Sequence, residues 1–143
     1  MLKIKKLHND AKVPQRANSG DAGLDLCTIE SATISPGCHA TLKTGLAFAI
    51  PDGMVGLVWP RSKLASKYGL DILAGVVDSG YSGEVMVSVI NHGKTEIEIR
   101  KGDKIAQMII QSHYSDQQII VADDLGATDR GSSGINDSEL RIR

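Results

Sequence analysis

Several marks of large protein classes are missing from this chain. Cys27 and Cys38 are the only cysteines in 143 residues. They form no C-x-x-C pair, and neither stands near a histidine at zinc-ligand spacing, so a structural zinc site is excluded by pattern. Reduced thiols of a cytoplasmic protein are the expectation. No sign of charge dominates: 16 Lys plus Arg face 17 Asp plus Glu, a formal charge of −1. A general nucleic-acid binder held by counterion release needs a basic excess, so no nucleic-acid partner is expected and any phosphate recognition should be local. No apolar run approaches membrane-spanning length, which argues against a membrane partner. Residues Met1 to Leu7 alternate apolar and basic side chains, which reads as a first strand and not as the apolar core of a signal peptide.

Familiar catalytic patterns are missing too. His8, His39, His92 and His113 are scattered, and no serine stands in a nucleophile elbow, so spacing offers neither a triad nor a metal cluster. Gly93-Lys94-Thr95 resembles the end of a Walker A loop, but the upstream glycine that loop requires would fall at Ser88. A plain turn is the better reading.

What the chain does have is a rhythm of short apolar segments broken by turns. Its length suits one domain with an adequate core. Turn signals occur at Ser35-Pro36-Gly37, Pro51-Asp52-Gly53, Asn91-His92-Gly93-Lys94 and Lys101-Gly102-Asp103. Between them lie strand-like segments at Ala40 to Leu42, Leu46 to Ile50, Met54 to Trp59, Thr95 to Ile99 and Lys104 to Ile110. This spacing predicts an all-β sandwich, jelly roll or barrel. One short helix is expected over Ser62 to Tyr68, with Ser62 as its N-cap and Gly69 at its end. From Asp124 on, glycines mixed with Ser, Asp and Asn read as a mobile tail, which divides the chain into a β domain over 1–123 and a tail over 124–143.

Four places carry polar residues that plain packing explains less well. In Ala74-Gly75-Val76-Val77-Asp78-Ser79-Gly80-Tyr81-Ser82-Gly83-Glu84 an apolar run meets a lone carboxylate, turns on glycines beside a tyrosine, and leaves on an alternating strand over Val85 to Ile90. On local pattern Asp78 is either a hairpin-capping aspartate or a general base aimed at water. Gln107 shares a strand face with Ile105 and Ile109, where a buried amide must find partners or cost about 1–3 kcal/mol. It is either a satisfied core residue or a ligand contact. Arg61 and Ser62, just after Pro60, put a guanidinium, a hydroxyl and free backbone N–H groups together, which suits an anion as well as an ordinary helix start. Arg130, among the tail glycines, is open between a ligand contact and a solvated charge.

In order, these segments resemble the trimeric dUTPase family. Asp21-Ala22-Gly23-Leu24-Asp25-Leu26 is similar to its first motif and Pro60-Arg61-Ser62 to its second. Gly75-Val76-Val77-Asp78 through Tyr81 and Gly83 is similar to the third, and Gly102-Asp103-Lys104-Ile105-Ala106-Gln107 to the fourth. Arg130-Gly131 through Gly134 begins the fifth. The resemblance implies a jelly-roll subunit in a homotrimer, with active sites built at subunit boundaries. It implies hydrolysis of dUTP to dUMP and pyrophosphate, which keeps uracil out of DNA and supplies dUMP for thymidylate synthesis. It also implies Mg²⁺ on the phosphates, held through water by Asp25, in keeping with that ion's habit of retaining waters. Asp78 would activate the attacking water. Arg61, Ser62, Lys63 and Gln107 would hold phosphates, with Arg130 on the γ-phosphate. Tyr81 would pack under the deoxyribose, and the backbone at Gly75 and Val77 would read uracil. The alternatives are a catalytically weakened dUTP-binding sensor or interaction module, and a relative of the dCTP deaminases.

The departures from the family pattern lie in the fifth motif. Members usually continue into a phenylalanine or tyrosine that stacks on uracil, where this chain has Ile135. Ser133 replaces a common glycine, Gly80 stands where many members have a second aspartate, and Asp137 and Glu139 add negative charge. Stacking of a base on an aromatic side chain contributes about 1–3 kcal/mol, so its loss should weaken closure by roughly one to two powers of ten. Replacing Ile135→Phe is therefore expected to raise kcat/KM for dUTP. An unchanged kcat/KM in steady-state pyrophosphate release would show that the tail does not limit turnover.

Overall fold

Strand periodicity is clearest over Glu84–Asn91, where Val85, Val87, Val89 and Asn91 are buried and Met86, Ser88 and Ile90 are not. Alternation of this kind makes one face of a sheet apolar and forces it against a second layer. A computed structural model describes residues 1–114, 117–129 and 131. Its elements in chain order are β1 Lys3–Lys6, β2 Leu24–Cys27, β3 Ala32–Ile34, β4 His39–Ala49, β5 Met54–Trp59, α1 Ser62–Tyr68, β6 Leu70–Leu73, β7 Val76–Val77, β8 Glu84–Asn91, β9 Ile97–Ile99 and β10 Lys104–Ser112. One four-stranded sheet has the order β1-β4-β8-β6, the other β2-β10-β5-β7, and β3 pairs with β9. All the pairings are antiparallel. This is a jelly-roll β fold. Leu26, Phe48, Val87, Val89, Ala106 and Met108 meet in its core, and each large side chain buried there contributes about 1.5–3 kcal/mol.

The segments Ala40 to Leu42 and Leu46 to Ile50 prove, but for Ile50, to belong to one long strand, β4. Its register against β8 shifts between Lys43 and Ala47, and Gly45 takes φ 69° there. The Thr44 hydroxyl donates to the Val85 carbonyl at 2.6 Å, and the Gly45 N–H donates to the Glu84 carboxylate at 2.8 Å. A bulge pinned by side chains thus stands where the sequence shows a turn-like Thr-Gly pair.

Helix α1 spans the expected residues and ends at Gly69 in the left-handed conformation, φ 71°. Its N-cap, however, is Arg61 and not Ser62. Arg61 has extended dihedrals, and its carbonyl accepts the first helical bond from Ala65. Ser62 is the first helical residue, so its hydroxyl cannot take the capping position, and the first turn has no side-chain cap.

The hairpin around Asp78 also differs from the local reading. The strand that returns alongside β8 is β6, with Leu73 opposite Ser88. Between them Val76 and Val77 divert to the edge of the other sheet, opposite Leu57 and Gly56. Ala74 at φ 63° and Gly75 at φ 128° make that diversion possible. A Cβ on residue 75 would stand 2.7 Å from the Val58 carbonyl oxygen, so only glycine fits beside that backbone.

From Asp124 to Asp129, and at Gly131, the described part of the tail contains no helix or strand. Arg130, Ile135, Asp137 and Glu139 lie outside the described residues, as does most of the fifth motif. No helix among the described residues is long and apolar enough to cross a membrane. Both thiols are free, Cys38 exposed and Cys27 buried, and burial pushes the Cys27 thiol up from its ordinary pKa.

The side chain of Asn91 joins the small sheet to the large one. Its amide donates to the Ile34 and Thr95 carbonyls, both at 2.8 Å, and its oxygen accepts the Gly93 N–H at 2.8 Å. Asn91→Ala should leave the buried Ile34 carbonyl unpaired and lower unfolding stability by about 2 kcal/mol in urea titration. A loss below about 1 kcal/mol would show that the network is dispensable.

Candidate active site

Strand β10 brings three of the sequence motifs together. Gln107 is flanked by Asp25 of β2 on one side and Trp59 of β5 on the other. Trp59 leads through Pro60 to Arg61, so a single cross-strand row sets the spacing of the first, second and fourth motifs. The Gln107 amide donates to the Pro60 carbonyl at 3.0 Å. This bond fixes the point where the chain leaves the sheet for α1.

Asp25 is the charged centre of this region, only 13% exposed. Arg61 Nε lies 3.0 Å from its Oδ1, and Lys104 Nζ lies 2.8 Å from its Oδ2. The lysine contact is an ion pair without hydrogen-bond geometry, and Oδ2 is buried with no hydrogen-bond partner. Strand parity would put Lys104 and Gln107, three positions apart, on opposite faces. The register of β10 against β2 shifts between Lys104 and Ala106, and this irregularity turns Lys104 to the Asp25 side. That is why Lys104, quoted in a motif, has no role on sequence grounds.

Asp25, Arg61, Ser62, Lys63 and Gln107 line a polar cavity of about 510 Å³, together with Asp21 and Gly23. Gly23 is there for room. A Cβ at this position would come 2.1 Å from Gln107 Oε1 and 3.1 Å from Gln107 Cβ. The glycine of the first motif thus allows the glutamine of the fourth to stand over the cavity. No run or spacing in the sequence links these two residues. Only the strand pairing does.

Gly75, Val77, Asp78 and Tyr81 line a different cavity, of about 290 Å³, walled by apolar side chains such as Ile72, Val85 and Met86. The Asp78 carbonyl accepts the Tyr81 N–H at 3.1 Å, closing a tight turn. The Tyr81 hydroxyl donates to the Glu84 carbonyl at 2.8 Å, and its ring lies over Gly83, where a Cβ would be 2.6 Å from the hydroxyl oxygen. The ring therefore has a fixed attitude although it is 44% exposed. The Asp78 carboxylate is exposed, with no hydrogen bond or ion pair among the described residues. The two cavities share no lining residue. Within one chain these candidate residues therefore line two different cavities.

The family model described as dUTPase matches residues 9–139. The chain belongs to the dUTPase family. A deoxyuridine 5'-triphosphate nucleotidohydrolase of Nocardia farcinica is 43% identical over 136 residues, 93% of this chain and 82% of that protein. One from Rhodococcus erythropolis is 50% identical over 113 residues, covering 77% and 69%. Among solved structures, the dUTPase of Staphylococcus bacteriophage 80alpha with dUPNHPP superposes with a TM-score of 0.89 at 28% identity, covering 98% of this chain and 99% of that one. A mutant dUTPase from phage phi11 of S. aureus, described with a structural Mg(II) ion, has a TM-score of 0.81 at 26% identity, covering 87% and 98%. In this member of the family Asp25, Arg61, Ser62, Lys63 and Gln107 line one of the two cavities and Gly75, Val77, Asp78 and Tyr81 the other.

Gly23→Ala should push the Gln107 side chain from its place and cost about 1–3 kcal/mol by overpacking. In a Gln107→Ala background the same change should cost markedly less, because the clashing amide is gone. Equal costs in both backgrounds, measured by a double-mutant cycle of urea denaturation, would rule out this contact.

Proposed function

We propose that this chain hydrolyses dUTP to dUMP and pyrophosphate, with Asp78 activating the water that attacks the α-phosphorus. The observation that carries the reading is the division of labour between the two cavities. One is polar and lined by Arg61, Ser62, Lys63 and Gln107, a donor set suited to phosphate oxygens. The other is apolar, with a fixed tyrosine ring and an unpaired carboxylate at its edge, which suits a nucleoside and a water.

Because the sets line different cavities, the proposal includes a homotrimer in which the polar cavity of one protomer faces the Asp78 cavity of another. Arg61, Ser62, Lys63 and Gln107 hold the phosphates in line with the water on Asp78, so that positioning supplies much of the rate. Asp78 takes the proton as the water attacks, and pyrophosphate leaves. Tyr81, held by its bond to Glu84, packs against C2′ of the sugar and rejects a ribose by clash. The backbone at Gly75 and Val77 matches uracil and leaves the amino group of cytosine unpaired, a mismatch that can discriminate by about 10⁴–10⁵. Arg130 belongs to the proposal as the group that reaches the γ-phosphate. The site of action is the cytoplasm, in keeping with two free thiols.

The donor set decides how Mg²⁺ fits. No group of three metal-ligating side chains occurs among the described residues, so a protein cage for the ion does not fit. An ion carried by the triphosphate, with its waters donating to Asp25, does, since Asp25 Oδ2 is a buried acceptor without a hydrogen bond. Bound there, Mg²⁺ would neutralise phosphate charge as it develops.

Pyrophosphate release from a panel of deoxy- and ribonucleoside triphosphates tests the proposal. The wild-type protein should favour dUTP, and Asp78→Asn should lower kcat by about 10²–10⁴ with little change in KM. Comparable turnover of dCTP or UTP would remove the specificity argument. Binding of dUTP without pyrophosphate release would identify a weakened binding module, and ammonia from dCTP a deaminase.

A further inference from the structure

Asp25 bears one negative charge and faces two cations. Arg61 Nε sits 3.0 Å from Oδ1 and Lys104 Nζ 2.8 Å from Oδ2. Lys63 lines the cavity on the Arg61 side. Lys12 lines a neighbouring cavity of about 350 Å³ on the Lys104 side, with Asp25 between the two. Asp21 is the other carboxylate of the polar cavity, and its Oδ2 already accepts from the Asn18 backbone and side chain. The local balance is therefore positive, and a free divalent cation approaching Asp25 meets repulsion on both sides.

The two partners of Asp25 differ in how firmly they are held. Arg61 is the N-cap of α1, and its guanidinium also reaches the Lys104 carbonyl, at 3.5 Å. Lys104 is half exposed, and its 2.8 Å contact with the buried Oδ2 is an ion pair without hydrogen-bond geometry. Its ammonium is the more easily removed, because four methylenes let it swing into water without disturbing the strand.

We propose that Lys104 is a place-holder for the divalent cation: it covers Oδ2 in the nucleotide-free protein, so the ion is admitted only with the negative charge of its triphosphate. When the ion arrives in that form, phosphate charge offsets the local positive balance. Lys104 then yields Oδ2 to a water of the hydrated ion. This inference rests on the reading of Asp25 given above. It makes Lys104 a positioning residue that orders metal entry, and it takes no part in the bond-making step.

The test needs no turnover. Mn²⁺ is titrated into the nucleotide-free full-length protein and followed by electron paramagnetic resonance. Wild type and Lys104→Arg should bind Mn²⁺ weakly. Lys104→Met and Lys104→Gln should bind at least about tenfold more tightly, because removing one charge beside a partly buried carboxylate changes affinity by about that much. Adding Asp25→Asn to Lys104→Met should abolish the gain. For dUPNHPP binding, Lys104→Met should lower the Mg²⁺ concentration that gives half-maximal affinity. The proposal is overturned if both neutral variants, folded by circular dichroism, bind Mn²⁺ no better than wild type. It is equally overturned if the gain survives Asp25→Asn. A gain in Mn²⁺ affinity in a protein that releases no pyrophosphate would sink the functional reading and leave this one standing.

Discussion

The ion cluster around Asp25 is the constraint on which the site depends. A carboxylate on β2 holds a guanidinium from the start of α1 and an ammonium from the start of β10, and the three elements come from distant parts of the chain. Pairs at 13–49% exposure contribute modestly to stability, since water screens them. Their value lies in geometry. Arg61 is held at the mouth of the polar cavity, and the Gln107 amide on the Pro60 carbonyl fixes the chain that carries it.

Around that cluster the jelly roll supplies rigidity of two kinds. Strands β2, β10 and β5 run side by side, so residues opposite one another in register become neighbours in the cavity. At the other cavity, the diversion of β7 onto β5 through Ala74 and Gly75 sets the position of the turn that carries Asp78 and Tyr81. The proposed phosphate donors and the proposed base Asp78 line different cavities, and this is why the proposed trimer and the proposed mechanism depend on each other.

How much could be read from the sequence follows from how local each signal was. Strands β5 and β8 were legible because period-two burial is written in consecutive residues, and α1 because Gly69 marks its end. Strands β2, β3 and β6 were not identified as strands from periodicity, because three or four residues carry too little pattern. The N-cap was misplaced by one residue, since Ser is the commoner cap and nothing local shows that Arg61 takes the extended backbone. β4 was split in two because a pinned bulge looks like a turn. The motif residues were found by their resemblance to a family. Lys104 and Gly23 were given no role, because a register shift and a clash across strands leave no trace in spacing.

The sequence by itself determined the β-rich class, the positions of the turns and the order of the motifs, since alternation and turn chemistry act between near neighbours. Tertiary structure alone decided which motifs share a cavity, where Lys104 points, and that Asp78 lines a different cavity from Arg61 and Gln107. Those outcomes depend on strand order and register. A single shifted residue reverses the face of every side chain that follows, and no local pattern records it.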